Sequence, residues 1–280
     1  MCELLGLSFA MPVSADVSVQ AFAEGDVENA DGWGLAWYED NSLAMVKEAV
    51  RWRASKFSSF LQSYEHTRSK LFIGHVRHAT TGGAPARADT HPFSRELLGM
   101  SYCFAHNGTV RPAFQELALG RYRPIGKTDS EHIFCFLLDQ IEARGGIIDD
   151  ADDWRWLHGQ LSRINDMGKF NCLMCDGQRL FCYRDRQWAK GLTMGSMRLR
   201  PQETRKLEDP NVKVNLAGGV ENHGFIVATR PLNDGAWHPL RQGELLVLED
   251  GVIRFSSERQ TSTRPATEEE PQAALVAAQN

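Results

Sequence analysis

The chain has 280 residues, 42% of them hydrophobic and 24% charged, the balance of an ordinary globular protein with ample material for a packed core. A formal net charge of −5 leaves no electrostatic footprint for nucleic acid or an anionic membrane as a partner. No run of about eighteen apolar residues offers a membrane span, the N-terminus lacks the basic start of a secretory signal, and six scattered cysteines do not read as a disulfide scaffold, so a cytoplasmic location with reduced thiols is expected.

The first nine residues read as a strand at the extreme N-terminus. Trp33 to Tyr38 and Leu43 to Lys47 form two more around the turn Glu39-Asp40-Asn41, and Leu71 to Arg77 and Ser101 to His106 are short apolar strands that end in polar residues and glycine. Thr128-Asp129-Ser130-Glu131 is a capping box that opens a helix with Ile133, Phe134, Leu137, Leu138 and Ile141 on its buried face. A second helix is expected over Asp152 to Asp166. Two hairpins then turn on Asp-Gly, Phe170 to Tyr183 and Glu244 to Ser257. The polar stretch from Arg198 to Asn215 reads as an exposed excursion, and Phe225 to Thr229 as one more strand. Many strands with helices in the middle predict a single α+β domain over residues 1–255. Residues 256–280, rich in Ser, Thr, Glu, Gln and Ala, read as a disordered tail.

Four places in this scaffold could carry chemistry. Cys2 follows the initiator methionine. With Met1 removed, its α-amine, of pKa about 8, lies within reach of its own thiol and could take the thiol proton, so one residue would supply nucleophile and base. Gly74 to Gly83 (GHVRHATTGG) is a strand running into arginine, threonine and paired glycines, a pattern suited to anion recognition, because arginine binds a carboxylate through two parallel hydrogen bonds. His106-Asn107-Gly108 reads first as a tight turn, but the Asn amide and the Gly backbone N–H could also form an oxyanion hole. Asp129 suits the helix dipole in any case and could also receive a substrate ammonium. Together these groups would read a whole glutamine. Arg77 and Thr80 would take the α-carboxylate, Asp129 the α-ammonium, Asn107 and Gly108 the amide oxygen, and Cys2 the amide carbon.

Six pieces carry a family resemblance: MCELLG at the start, DGWGL at 31–35, GHVRHATTG at 74–82, THPF at 90–93, HNG at 106–108 and TDSE at 128–131. Their identity and order resemble the class II glutamine amidotransferases of the N-terminal nucleophile hydrolase superfamily, and as a set they are most similar to the stand-alone YafJ-like proteins and the γ-glutamyl hydrolases of ergothioneine biosynthesis. The resemblance implies a four-layer αββα sandwich. It implies Cys2 as nucleophile, Asn107 and Gly108 as oxyanion hole, Arg77 and Thr80 as carboxylate ligands and Asp129 as ammonium ligand, with His78 and His91 at or near the substrate. Glu28-Asn29-Ala30 departs from the arginine that large synthases of the family carry before the DGWG-like strand. No residues remain for a synthase domain, so ammonia is expected either to reach a separate ammonia-accepting enzyme or to be released. Glutamine or a γ-glutamyl small molecule is the expected partner, and no cofactor is implied.

Two rival readings stand beside this one. His75, His78, His91 and His106 could gather around a metal, with Cys172-x-x-Cys175 at ligand-like spacing. However, positions i and i+3 on a strand point to opposite faces, so the two thiols read as core residues and no metal site is expected. The same loops could alternatively bind glutamine without turning it over, as a non-catalytic glutamine-binding or complex-forming module that keeps the fold. A retained Met1 would favour that reading.

Overall fold

The computed structural model describes residues 2–18, 30–50, 55–57, 67–78, 86–146, 148–208 and 213–258. In chain order the strands are β1 (Glu3–Ser18), β2 (Ala30–Glu39), β3 (Ser42–Glu48), β4 (Arg68–His78), β5 (Phe93–Leu97), β6 (Met100–Thr109), β7 (Lys169–Cys175), β8 (Arg179–Tyr183), β9 (Thr193–Leu199), β10 (Thr204–Glu208), β11 (Lys213–Ala217), β12 (Asn222–Ala228), β13 (Trp237–Pro239), β14 (Leu245–Glu249) and β15 (Val252–Ser256). Helices α1 (Ala113–Glu116), α2 (Asp129–Ala143) and α3 (Ala151–Asn165) lie between β6 and β7. One sheet runs β13-β9-β12-β1-β4-β2-β3, with the β10–β11 hairpin laid along the second half of β1. The other runs β15-β14-β8-β7-β6-β5.

The alternation of side chains along each strand sorts the interior into three layers. Leu4, Ala36, Leu71 and Ile73 from the first sheet meet Cys103, Ala105, Leu173, Leu180 and Cys182 from the second, filling the space between the sheets. Gly6 lets the sheets approach there, since a Cβ on it would stand 2.9 Å from Leu180. The odd-numbered partners on β1, Leu5, Leu7 and Phe9, join Trp33, Leu35 and Phe72 in a buried layer on the outer face of the first sheet. Phe104, Phe170, Cys172 and Phe181 face outward from the second sheet against Ile133, Phe134 and Leu137 of α2 and Leu157, Leu161 and Ile164 of α3. Each fully buried Leu or Phe contributes about 1.5–3 kcal/mol, so these layers rather than the surface ion pairs hold the fold. The arrangement is the expected αββα sandwich.

Cys172 and Cys175 belong to different layers, as their spacing requires, and burial pushes the Cys172 thiol above its ordinary value. Thr128 Oγ1 accepts from Glu131 N at 3.2 Å and caps α2. The Glu131 carboxylate does not complete the box: it accepts from Gly126 N at 2.6 Å and pairs with Arg95 at 2.6 Å, tying the helix to β5. The Asp250-Gly251 turn has both residues at positive φ, 49° and 70°, the geometry that a two-residue hairpin demands. The other hairpin turns differently. Asp176 Oδ1 accepts from Gln178 N and Arg179 N, and only Gly177 takes a positive φ.

Among its described residues, the stretch from Arg198 to Asn215 is largely exposed, as expected, but it is paired strand rather than an irregular excursion. It holds the end of β9, all of β10 and the first half of β11, and its Leu207 and Val214 are fully buried. Leu207 is the one apolar residue of β10, and Val214 and Leu216 alternate with polar neighbours on β11, so the hairpin has one buried face. Ser256 and Ser257, the first residues of the expected tail, are fastened to the sheet. Ser256 Oγ donates to Glu244 Oε1 at 2.6 Å, and Ser257 Oγ accepts from Leu245 N at 3.1 Å. The remainder of that segment, 259–280, lies outside the described residues.

Candidate active site

Strand alternation aims three of the expected groups at one place. Leu4 and His75 are register partners on β1 and β4, and Leu4 points between the sheets. Cys2 and Arg77, each two residues from that pair, therefore share the same face at the same end. Asn107 follows Ala105 on β6 by two and faces them from the second sheet. The contact is direct: Asn107 Nδ2 donates to the Cys2 carbonyl oxygen at 2.8 Å. The Asn107 amide carries two protons, of which this bond uses one. Asn107 is buried, Cys2 is half-buried, and Leu4 N donates to Thr229 Oγ1 at 2.8 Å, which fixes the entry of β1.

Gly108 cannot be replaced at no cost. A Cβ there would stand 1.9 Å from the Lys169 carbonyl oxygen and 2.6 Å from His106 Nε2. The ring of His106 is locked beside it. Its Nε2 faces the Lys169 carbonyl at 3.2 Å, and a carbonyl only accepts, so the proton resides on Nε2. Nδ1 then accepts from Ser130 Oγ at 2.8 Å. Burial lowers the pKa of His106 against the opposing pull of Asp129, keeping the ring neutral. Asp129 Oδ2 accepts from Val110 N at 2.6 Å, and Oδ1 from Ser130 N at 2.9 Å, so the start of α2 is pinned to the end of β6.

The DGWG and THPF pieces belong to one construction. Gly32 and Gly34 lie on the inner face of β2, where a Cβ on Gly34 would be 2.3 Å from the His91 carbonyl oxygen and one on Gly32 would be 3.1 Å from Thr90. Bare backbone on β2 thus lets Thr90-His91-Pro92, joined through a cis His91–Pro92 bond, lie flat between the sheets. Lys47 Nζ clamps this segment by donating to the carbonyls of Thr90 at 2.7 Å and Pro92 at 3.0 Å. Burial lowers the Lys47 pKa to about 8. The His91 ring rests on His75, centroids 4.2 Å apart, with Phe93 on its other side at 4.6 Å.

Buried polar groups are normally satisfied within the protein or by what binds it. Here Arg77 Nη1 and both ring nitrogens of His91 are buried without a hydrogen-bond partner among the described residues. Burial, reinforced by His75, His106, Lys47 and Arg77, holds His91 neutral. The backbone of His78 pairs with Ala30 at the end of β4, while its side chain and the whole of Thr80 lie outside the described residues. Among the described side chains, His75 and His91 meet, while His106 turns to Ser130. Sequence reasoning missed the Lys47 clamp, which a lysine on an alternating strand does not signal. It also missed the His106–Ser130 contact, for which the adjacent HNG and TDSE motifs were the available sign.

Residues 1–272 match the family model described as class-II glutamine amidotransferases. The chain belongs to that family. It is 36% identical over 264 residues to the uncharacterized protein MJ1515 of Methanocaldococcus jannaschii, covering 93% of this chain and 73% of that one. It is 29% identical over 268 residues to YafJ of Escherichia coli, itself named only as a candidate glutamine amidotransferase, covering 90% and 100%. A crystal structure from Pseudomonas aeruginosa, described as a predicted glutamine amidotransferase, superposes with a TM-score of 0.71 at 28% identity, covering 90% of this chain and 99% of that one. The sandwich is therefore that of the N-terminal nucleophile amidotransferases. Among the described residues no helix is long and apolar enough to cross a membrane.

Proposed function

We propose that the chain hydrolyses the side-chain amide of glutamine or of a γ-glutamyl compound through a γ-glutamyl thioester on Cys2. The observation that carries this reading is the hydrogen bond from Asn107 Nδ2 to the Cys2 carbonyl, which joins the start of β1 in one sheet to the HNG segment in the other. Once Met1 is removed, the α-amine of Cys2 takes the thiol proton and the thiolate attacks the amide carbon. Asn107 and the Gly108 N–H stabilise the oxyanion, an interaction typically worth about 3 kcal/mol of barrier per donor. The proton passes to the leaving nitrogen, the C–N bond breaks, and water then hydrolyses the thioester. Arg77, whose buried Nη1 has no partner among the described residues, receives the α-carboxylate together with Thr80. Asp129 receives the α-ammonium, His78 lines the same loop, and the neutral His91 forms the floor under Arg77. The catalytic unit spans residues 1–255, and ammonia passes to a separate acceptor enzyme or to solvent.

Intact mass before and after incubation with a glutamine-mimicking diazoketone tests this. Loss of Met1 and a single adduct on Cys2 are expected, with the adduct and all turnover absent in Cys2→Ala. A retained Met1 with no adduct would overturn the hydrolase reading in favour of a glutamine-binding module.

A further inference from the structure

The two sheets give the cleft a direction. His91 leads into β5, yet lies on Gly34 of β2 and against His75 of β4. The β5 side of the second sheet therefore sits over the β2–β4 side of the first, and β7, on the other side of β6, lies toward β12. An acyl donor with its α-carboxylate on Arg77 and its amide between Cys2 and Asn107 points its leaving nitrogen toward β7.

What stands on β7 at that point is a cation on an aromatic ring. Asn107 pairs with Asn171 and Thr109 with Lys169, so Lys169 shares the cleft face with Asn107 one step nearer the mouth. Lys169 Nζ lies 5.5 Å from the centroid of Trp188. It has no carboxylate at ion-pair distance among the described residues, whereas Arg230 on the β12 side is already paired with Glu3. The loop carrying Trp188 is built rather than draped. Buried Asp185 accepts from Phe170 N and Asn165 Nδ2 with one oxygen, and from Gln187 N and Trp188 N with the other. Asn171 accepts from Asp185 N at 2.9 Å and donates to the Lys190 carbonyl at 3.1 Å, so the residue paired with Asn107 also anchors the loop.

We infer that Lys169 and Trp188 form a leaving-group subsite for an amine that bears a carboxylate, which makes γ-glutamyl amino acids or peptides the substrate class. Free glutamine releases ammonia and has no group to place there. The inference rests on the thioester reading above. Attack by the Cys2 thiolate forms the C–S bond, the amino acid departs with the thiol proton, and water releases glutamate. In this subsite the departing carboxylate meets the Lys169 ammonium, which the Trp188 ring holds in place.

The test compares kcat/KM for γ-L-glutamyl-L-alanine and γ-L-glutamyl-L-alaninamide, which differ by that carboxylate. The acid is expected to be used about fivefold better, the scale of one partly exposed ion pair. Lys169→Met should bring the ratio to about one, and Lys169→Arg should keep the preference. Equal use of the two donors by the wild-type enzyme, or a preference that survives Lys169→Met, would overturn the subsite. If Cys2 takes the diazoketone and glutamine is hydrolysed, such a result sinks the subsite alone. An unlabelled Cys2 with neither donor hydrolysed would bring down the thioester reading and the subsite with it.

Discussion

The two ends of the sandwich differ in how far their polar groups are satisfied. At the end opposite Cys2, the β2–β3 turn, the start of β4 and the β7–β8 and β14–β15 turns surround a cleft of about 760 Å³. Its principal charges are spoken for. Lys70 pairs with Asp250 at 2.7 Å, Glu249 meets both Arg179 and Arg254, and Trp37 Nε1 donates to Glu39. Even the buried Tyr38 hydroxyl donates to the Ser101 carbonyl at 2.6 Å. At the Cys2 end the opposite holds, with a buried arginine nitrogen and two buried imidazole nitrogens left without partners among the described residues. Leaving a buried polar group unsatisfied costs about 1–3 kcal/mol, and a protein sustains that where a ligand repays it. Unmet hydrogen-bonding capacity separates the residues around Cys2 from those that line the opposite cleft, none of which holds a buried side-chain polar atom without a partner.

The sharpest way to break this comparison is at Gly108. A methyl group in Gly108→Ala would collide with the Lys169 carbonyl and with His106. Relief requires β6 and β7 to part at the oxyanion hole. The expected result is a loss of about 10²–10³-fold in kcat, the value of one oxyanion donor, with a stability cost of about 1–3 kcal/mol. Near-native turnover would show that the Gly108 N–H does not face the reaction. Next comes Arg77→Ala, expected to raise KM for donors with an α-carboxylate by about 10–100-fold, the range of hydrogen bonds to a charged group, with a smaller change in kcat. An unchanged KM would move the α-carboxylate elsewhere.

The fold was largely legible because its signals are local. Asp-Gly turns, the Thr128 cap and alternating apolar runs each act within a few residues, and β2, β3, β7, β8, β14 and β15 fall where those signals put them. What stayed hidden depends on partners distant in sequence. The β10–β11 hairpin has a buried face because β11 lies along β1, roughly two hundred residues away, and the mostly polar β10 does not announce that partner. The same holds at the site. Cys2, Arg77, Asn107 and Asp129 could be picked out by residue type and motif. The reason for two glycines in DGWG could not, because it is the backbone of His91 and Pro92 lying against them.

Protonation gives a smaller effect on stability that also distinguishes the two ends. His91 and His106 are held neutral at the Cys2 end chiefly by burial, so their folded pKa values lie below the unfolded value of about 6.5. Below that pH the unfolded chain binds protons that the native state refuses. The stability tied to neutral imidazoles is then present above about pH 6.5 and lost as pH falls toward the folded values. The thermal midpoint should therefore drop between pH 7 and 5.5, above the range where carboxylates titrate, and His91→Gln should flatten the drop. An equal slope in the variant would mean that His91 binds protons alike in the folded and unfolded chain.

The smallest expected effect lies at the other end, and its smallness is the point. Lys70 and Asp250 are both largely exposed, so their ion pair is screened by solvent and is worth no more than about 1 kcal/mol. Lys70→Met should shift stability by less than that and leave glutamine turnover as it was, because none of the described residues lining the cleft beside it holds a buried side-chain polar atom without a partner. A clear fall in turnover, measured beside Arg77→Ala under the same conditions, would mean that this second cleft takes part in function. Satisfied charges would then be no guide to where this protein works.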